Sequence, residues 1–303
     1  MWWKKWTKGR HKLSNGIAAK GITGNNFRPQ HLKRDLKFNK EMLQHILGSS
    51  LDVNFRDVTL AHHGPNAIIL YLDNMADAHE INENLLKSIM LQAPPIPEKD
   101  AFDVMWHTAL TIGEVYVARD FDQLVEGVIF GDTAILIDGF DTAIICGTKG
   151  FKGRSIGEPN AEEVVRGPKE AFTEMLLNNV TQLRRRIRTP YLRFEALSVG
   201  RLTSTDIALV YIEGVADPEV VDEVRRRIKG IDTDSILESG YIEEYIEDHP
   251  YSPFPQIEHT ERPDKVARRF GGGQGGHYHR WYSLCAAGAN AIYAIFPSLR
   301  GLL

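Results

Sequence analysis

Residues 67–77, AIILYLDNMAD, return later in the chain as 207–217, IALVYIEGVAD. Each copy is a continuous apolar run too short for a typical helix, ending in an acid and a turn before a segment of helical periodicity. The reading is strand, turn, helix, used twice. The first helix is expected over 76–90, with Ile81, Leu85, Ile89 and Met90 on its buried face. The second is expected over 218–228, with Val221, Val224 and Ile228 inward. Asp77 and Asp217 stand where an N-cap accepts backbone N–H bonds, and Pro218 suits the first helical position.

Working outward, an apolar strand precedes each copy, over 53–60 and 191–199. The first unit continues with a strand over 113–118 and a helix over 121–128. A hairpin of strands 134–137 and 142–146 then turns at Asp138-Gly139. Between the units, KGFKGRSIGEPNAEEVVRGPKE (149–170) is rich in Gly, Pro and charge and reads as a linker or crossover. Pro168 is expected to open a long helix to Ile187, its apolar stripe made by Phe172, Met175, Leu176, Val180, Leu183 and Ile187. Arg184, Arg185, Arg186 and Arg188 crowd its end, before Pro190.

The expected fold class is therefore α/β of the α+β kind: two related small mixed-sheet subdomains with flanking helices. The expected boundaries are a basic, disordered tail over 1–37, a first subdomain over 38–150, a linker over 151–167 and a second subdomain over 168–269. Residues 270–303 are expected to form an off-frame, unstructured tail. The chain of 303 residues, 43% hydrophobic and 25% charged, has material for two such cores. Its net charge of −4 hides an asymmetry, because residues 1–40 hold eleven Lys and Arg against the single acid Asp35. Trp2, Trp3 and Trp6 among those lysines could rest on an anionic leaflet, though a solvated tail is the plainer reading. Only Cys146 and Cys285 occur, far apart, which supports neither a disulfide framework nor a structural zinc site. No apolar stretch reaches the roughly 18 residues that a spanning helix needs.

The order of RSIGEPNAEEVVRGPKE (154–170), RRRIR (184–188) and SPFPQIEHTERPD (252–264) makes the chain specific enough to name a family. It resembles the A subunits of GerA-type spore germinant receptors over about residues 40–268. The resemblance implies a receptor in the spore inner membrane whose A subunit has a cytoplasmic two-subdomain region followed by membrane helices. It further implies partners: receptor B and C subunits, further A subunits in a homo-oligomer, and the membrane through those helices. The soluble part would then serve assembly and signal coupling. No germinant is implied.

The resemblance stops after Arg269. Relatives continue with LEG(K/R)VAIxxDGTPF, whereas this chain reads FGGGQGGHYHR onward. Shifted by one base, with permitted third bases, 270–286 can be read as LxEGKVAIIIDGTPFA, which also resembles GDTAILIDG at 131–139. A reading-frame shift is therefore expected. The second sheet should lack its last hairpin, and the final 34 residues should have no evolved structure.

Chemical readings of the same residues are weaker. GGGQGGHYHR lacks the Lys and Ser/Thr of a phosphate loop, and His277 with His279 supplies only two metal ligands. His62 and His63 read as turn histidines. Glu243, Glu244, Glu247 and Asp248 are expected to face water opposite Ile242, Tyr245 and Ile246, which leaves no shifted acid for catalysis. No enzyme, cofactor or metal site is expected. Arg154, Arg166, Lys169 and the arginines at 184–188 could hold nucleic acid, but interleaved aromatics are missing and the surroundings are acidic. Pairing with Glu158, Glu162, Glu163, Glu170 and Glu174 is the expected use. The candidate interface or inter-subdomain set is Arg154, Glu158, Arg166, Lys169, Glu170, Arg184, Arg185, Arg186, Arg188 and Arg262. The rival to a receptor subunit is a soluble module with a small molecule in a cleft between the subdomains.

Overall fold

The computed structural model describes residues 31–60, 64–87, 97–109, 114–150, 168, 170–236, 240–247, 257–270, 282–286 and 292–295. The first unit opens with α1 (Leu36–Leu47), capped by the Asp35 carboxylate, which accepts from the Phe38 N–H at 3.1 Å. Strands β1 (Val53–Thr59) and β2 (Asn66–Leu72) follow as an antiparallel pair. Next come a π-helical turn (Glu80–Leu86), α2 (Ala101–Ala109), β3 (Val115–Ala118) and α3 (Phe121–Ile129). The hairpin of β4 (Thr133–Ile137) and β5 (Ala143–Cys146) closes the unit, turning through Gly139 at φ +86°. The sheet order is β1-β2-β4-β5-β3, and every pairing in it is antiparallel.

The apolar runs of this sheet are continuous because both of its faces are covered. Ile68, Leu70, Ala134, Leu136 and Ile145 pack on one side with α1 and α3. Ile69, Ile135, Ile137 and Ile144 pack on the other with Ile81, Leu85 and Met105. Leu32 and Leu36, inside the expected tail, are buried in the first of these cores.

The second unit repeats the plan. After α4 (Leu176–Arg186) come β6 (Leu192–Val199), β7 (Thr205–Ile212), α5 (Pro218–Lys229), α6 (Gly240–Ile246), β8 (Ile257–Thr260) and α7 (Pro263–Phe270). Asp217 caps α5 through the Glu219 N–H, and Val221, Val224 and Ile228 are buried, as the periodicity requires. Asp77 likewise accepts from the His79 N–H at 2.8 Å.

Two expectations fail here. The helix after Pro168 starts only at Leu176, because the buried Asn179 amide accepts from Thr173 N–H at 2.8 Å and donates to Thr173 O at 2.6 Å. That pair of bonds holds the preceding chain outside the helix. The same device occurs 140 positions earlier, where Asn39 bonds both backbone groups of Lys33 at 3.0 and 2.6 Å.

The second sheet also does not stop short. Strands β9 (Tyr282–Ala286) and β10 (Ile292–Ile295) pair with β7 and β8 and complete the order β6-β7-β9-β10-β8, the counterpart of the first sheet. A ladder needs backbone donors and acceptors and a β-tolerant sequence. YSLCA and IYAI supply both, whatever their origin.

On α6, Ile242 and Ile246 enter the core while Glu244 is exposed, as expected, but Glu243 is only partly exposed. Burial, then the neighbouring charges of Glu247 and Glu244, push its carboxyl up to about 7. Its folded-state pKa lies above its unfolded one, so its ionisation costs stability as pH rises from the usual carboxylate range toward 7. Glu243→Gln should raise the melting temperature at pH above about 7.5 and change it little near pH 4.5, where the carboxyl is protonated. An equal gain at both pH values would contradict this. Asn39→Ala and Asn179→Ala should each lower stability by about 1–3 kcal/mol in denaturant titrations, because each leaves a backbone donor and acceptor without their partner.

Candidate functional site

Where the two units meet, α4 crosses the end of the first sheet. Its Asn178 accepts from Asn74 Nδ2 at 3.4 Å, beyond the end of β2. Past its other end, the Arg188 guanidinium lies 4.5 Å from the centre of the Phe130 ring, which caps α3. Between these points Arg184 enters the interior.

Arg184 and Asp52 are 2% and 1% exposed, so the pair is effectively out of water. Nε donates to Asp52 Oδ2 and Nη2 to Oδ1, both at 2.9 Å, in the two-toothed geometry that matches a planar guanidinium to a carboxylate. The remaining Nη2 hydrogen points to Ser50 Oγ at 3.4 Å, and Nη1 donates to Thr189 O and Leu192 O at 3.3 and 3.1 Å. All of the guanidinium donors are thus engaged. Asp52 also accepts from Ser50 Oγ at 2.7 Å, and Ser50 Oγ in turn accepts from the Phe194 N–H at 3.1 Å. The Phe194 ring lies under the guanidinium, 4.9 Å from its carbon.

A second arginine works beside the first. Arg193 donates to Ile46 O at 3.0 Å and to Leu47 O, capping the carbonyl end of α1 from the other unit, and it pairs with Glu213. A cation there complements the negative end of the helix dipole. The close approach is possible because residue 48 is glycine: its φ is +64°, and a Cβ would overlap the Arg193 guanidinium. A backbone bond from Leu51 N–H to Phe194 O at 2.8 Å completes the seam.

Of the residues singled out from sequence, Arg154, Glu158, Arg166 and Lys169 lie outside the described residues, as do Glu162, Glu163, His62, His63, His277 and His279. Arg184 and Arg188 reach the first unit. Glu170, Arg186 and Arg262 bond within the second: Arg186 pairs with Glu170, and Arg262 grips Asp264 at 2.6 and 3.0 Å. Arg185 is exposed and its carbonyl accepts from Arg188. Ser50, Asp52 and Arg193 were missed. Their signal was faint: two serines and an aspartate, interrupted by Leu51, before a strand, and one arginine between the buried Leu192 and Phe194. Among the described residues no group of three or more His, Cys, Asp or Glu could hold a metal, and no helix is long and apolar enough to cross a membrane.

Comparison with known proteins follows the same outline. The family model of the Bacillus/Clostridium GerA spore germination protein matches residues 41–274. Spore germination protein KA of Bacillus subtilis is 38% identical over 241 residues, covering 79% of this chain and 44% of that protein. Spore germination protein GerLA of Bacillus cereus is 33% identical over 220 residues, 73% of this chain and 44% of the relative. The chain therefore spans under half the length of these relatives. The crystal structure of the N-terminal domain of the A subunit of the Bacillus megaterium spore germinant receptor GerK3 matches with a TM-score of 0.67 at 29% identity. The match covers 90% of this chain and 98% of that one. A duplicated antiparallel sheet with helices on its faces, the ordered motifs around the connector and these matches lead to one conclusion: the chain belongs to the GerA family of spore germination proteins.

Proposed function

We propose that this chain acts in nutrient-triggered spore germination as the N-terminal region of a germinant receptor A subunit, where it positions subunits and couples nutrient binding to a membrane channel. On this reading its partners are the receptor B and C subunits and further A subunits. Its place is the cytoplasmic face of the spore inner membrane, with attachment through helices that follow this region in the full-length protein. The role is non-catalytic and involves no nucleic acid.

The observation that carries the proposal is the seam between the units. Two domains that must open around a small molecule meet through a wettable cleft. Here the meeting faces are filled by the Arg184–Asp52 pair, Leu51 and Phe194, with Arg193 bound to carbonyls of α1. Such a seam makes the pair of units behave as one lever, which suits transmission of a displacement better than capture of a ligand.

Isothermal titration of the purified chain with amino acids and sugars, paired with sedimentation equilibrium, tests the reading. Self-association that rises with protein concentration, without saturable heat, is the expected result. Saturable heat at millimolar ligand or below would replace it with a ligand-binding module. Arg184→Ala should lower stability by about 3–5 kcal/mol, because it leaves the Asp52 carboxylate buried without its partner. Arg184→Met with Asp52→Leu should restore much of that loss while weakening self-association if the angle between units matters. Unchanged association in the double variant would separate the seam from assembly.

A further inference from the structure

The same end of the first sheet carries a second charge pair, of different character. Asp132 follows Gly131, at φ +95°, in the turn from α3 into β4, and is 3% exposed. Its Oδ2 accepts from Tyr116 Oη at 3.4 Å, a long bond. Lys149 Nζ stands 3.2 Å from Oδ1, but no hydrogen bond reaches that oxygen, so a buried carboxylate oxygen has only an ionic partner. Lys149 itself is about half exposed.

Lys149 occupies a particular place in the chain. Residues 148–150 lie against 75–77: the Asp77 N–H donates to Thr148 O at 2.7 Å, Gly150 N–H to Met75 O at 3.3 Å, and Ala76 and Lys149 form an antiparallel bridge. Thr133 and Thr148 share a buried hydroxyl–hydroxyl bond of 2.7 Å beneath it. A Cβ on Gly150 would overlap Asp77, the cap of the next helix. The second unit follows this segment in the sequence. Asn74 and Phe130, which α4 and Arg188 touch, flank the same segments.

We propose that Asp132 and Lys149 form a proton-sensitive latch: ionised Asp132 holds the 148–150 segment against residues 75–77, and protonation releases it at the footing of α4. The groups facing the carboxylate are Lys149 from the 148–150 segment, Tyr116 and Glu114 from β3 and the residue before it, Cys146 from β5 and, against Tyr116, Glu126 from α3. Burial raises the Asp132 carboxyl above the usual range, with the Glu114 charge adding to this, while Lys149 and Tyr116 oppose it. Burial and Asp132 push the Tyr116 phenol up to about 12, so it stays a donor throughout the range in which Asp132 titrates.

Because the folded-state pKa is raised, global stability gains as pH falls through it, while the local clasp weakens. The two effects have opposite signs, which makes the latch testable. Amide hydrogen exchange of the whole chain should be followed from about pH 8 to about pH 4, corrected for intrinsic rates. Protection at the Asp77 and Gly150 amides should fall about ten-fold, while core amides such as Ile135 hold or gain. Asp132→Asn should show the low protection at every pH, and Lys149→Met should do the same with Asp132 intact. Protection at Asp77 and Gly150 that stays level with pH in the unmodified chain, or a pH dependence that survives in Asp132→Asn, overturns the proposal. The unmodified chain alone decides the matter if a variant does not fold.

Discussion

A guanidinium taken out of water must find a partner for every N–H it brings, or the fold loses several kcal/mol for each charge left bare. Arg184 meets that demand with Asp52, Ser50, Thr189 and Leu192, and the first two of these belong to the other unit. The relative placement of the two sheets follows from this requirement. Shifting one unit by even a fraction of a hydrogen-bond length would strand the carboxylate, the guanidinium or both. Replacing the pair with well-packed apolar groups could give similar stability; what such groups would lack is the directional bonding that the pair makes between the units.

The duplication shows how that definition arose without disturbing either unit. Asn39 and Asn179 serve both copies identically, tying the entering chain to the first helix of each. The sheets share one strand order. The units differ at the positions that meet. By the same offset that relates the two asparagines, Arg184 corresponds to Gln44, and Arg188 corresponds to Gly48, whose missing side chain makes room for Arg193. Internal devices were kept in both copies, and charge was placed on one so that it could reach the other.

Much of the fold was legible because it depends on local rules. Continuous apolar runs such as 67–72 and 207–212 are too short for a typical helix and fit strands covered on both faces, and Asp77 and Asp217 mark helix starts by the chemistry of their own side chains. The seam was less legible. Arg184 stood out as one of four clustered arginines, but nothing local separates it from Arg185, which is exposed, or from Arg186, which bonds Glu170 in its own unit. The choice depends on which way each projects from α4 and on Asp52, a partner 132 positions away. Glu243 was misread for a related reason: helical periodicity assigns a side, but not how deeply the neighbouring elements cover it. The hairpin of β9 and β10 escaped because the expectation weighed the origin of the sequence, whereas β7 offers its edge to any extended segment with suitable residues.

The two charge pairs at this end of the first sheet illustrate why solvent access decides what a pair can do. Arg184 and Asp52 are both nearly inaccessible, and their bonds to backbone on either side leave no room for water to replace one partner gradually. Breaking that pair means separating the units, an event of global cost. Lys149 keeps about half its side chain in water while Asp132 stays buried, so the ammonium can leave its partner for solvent with only the 148–150 segment in tow. The first pair is therefore suited to holding a shape and the second to changing one. Both lie close to the elements that α4 touches, so the seam has one fixed contact and, beside it, the proposed latch, whose hold follows the charge on a single carboxylate.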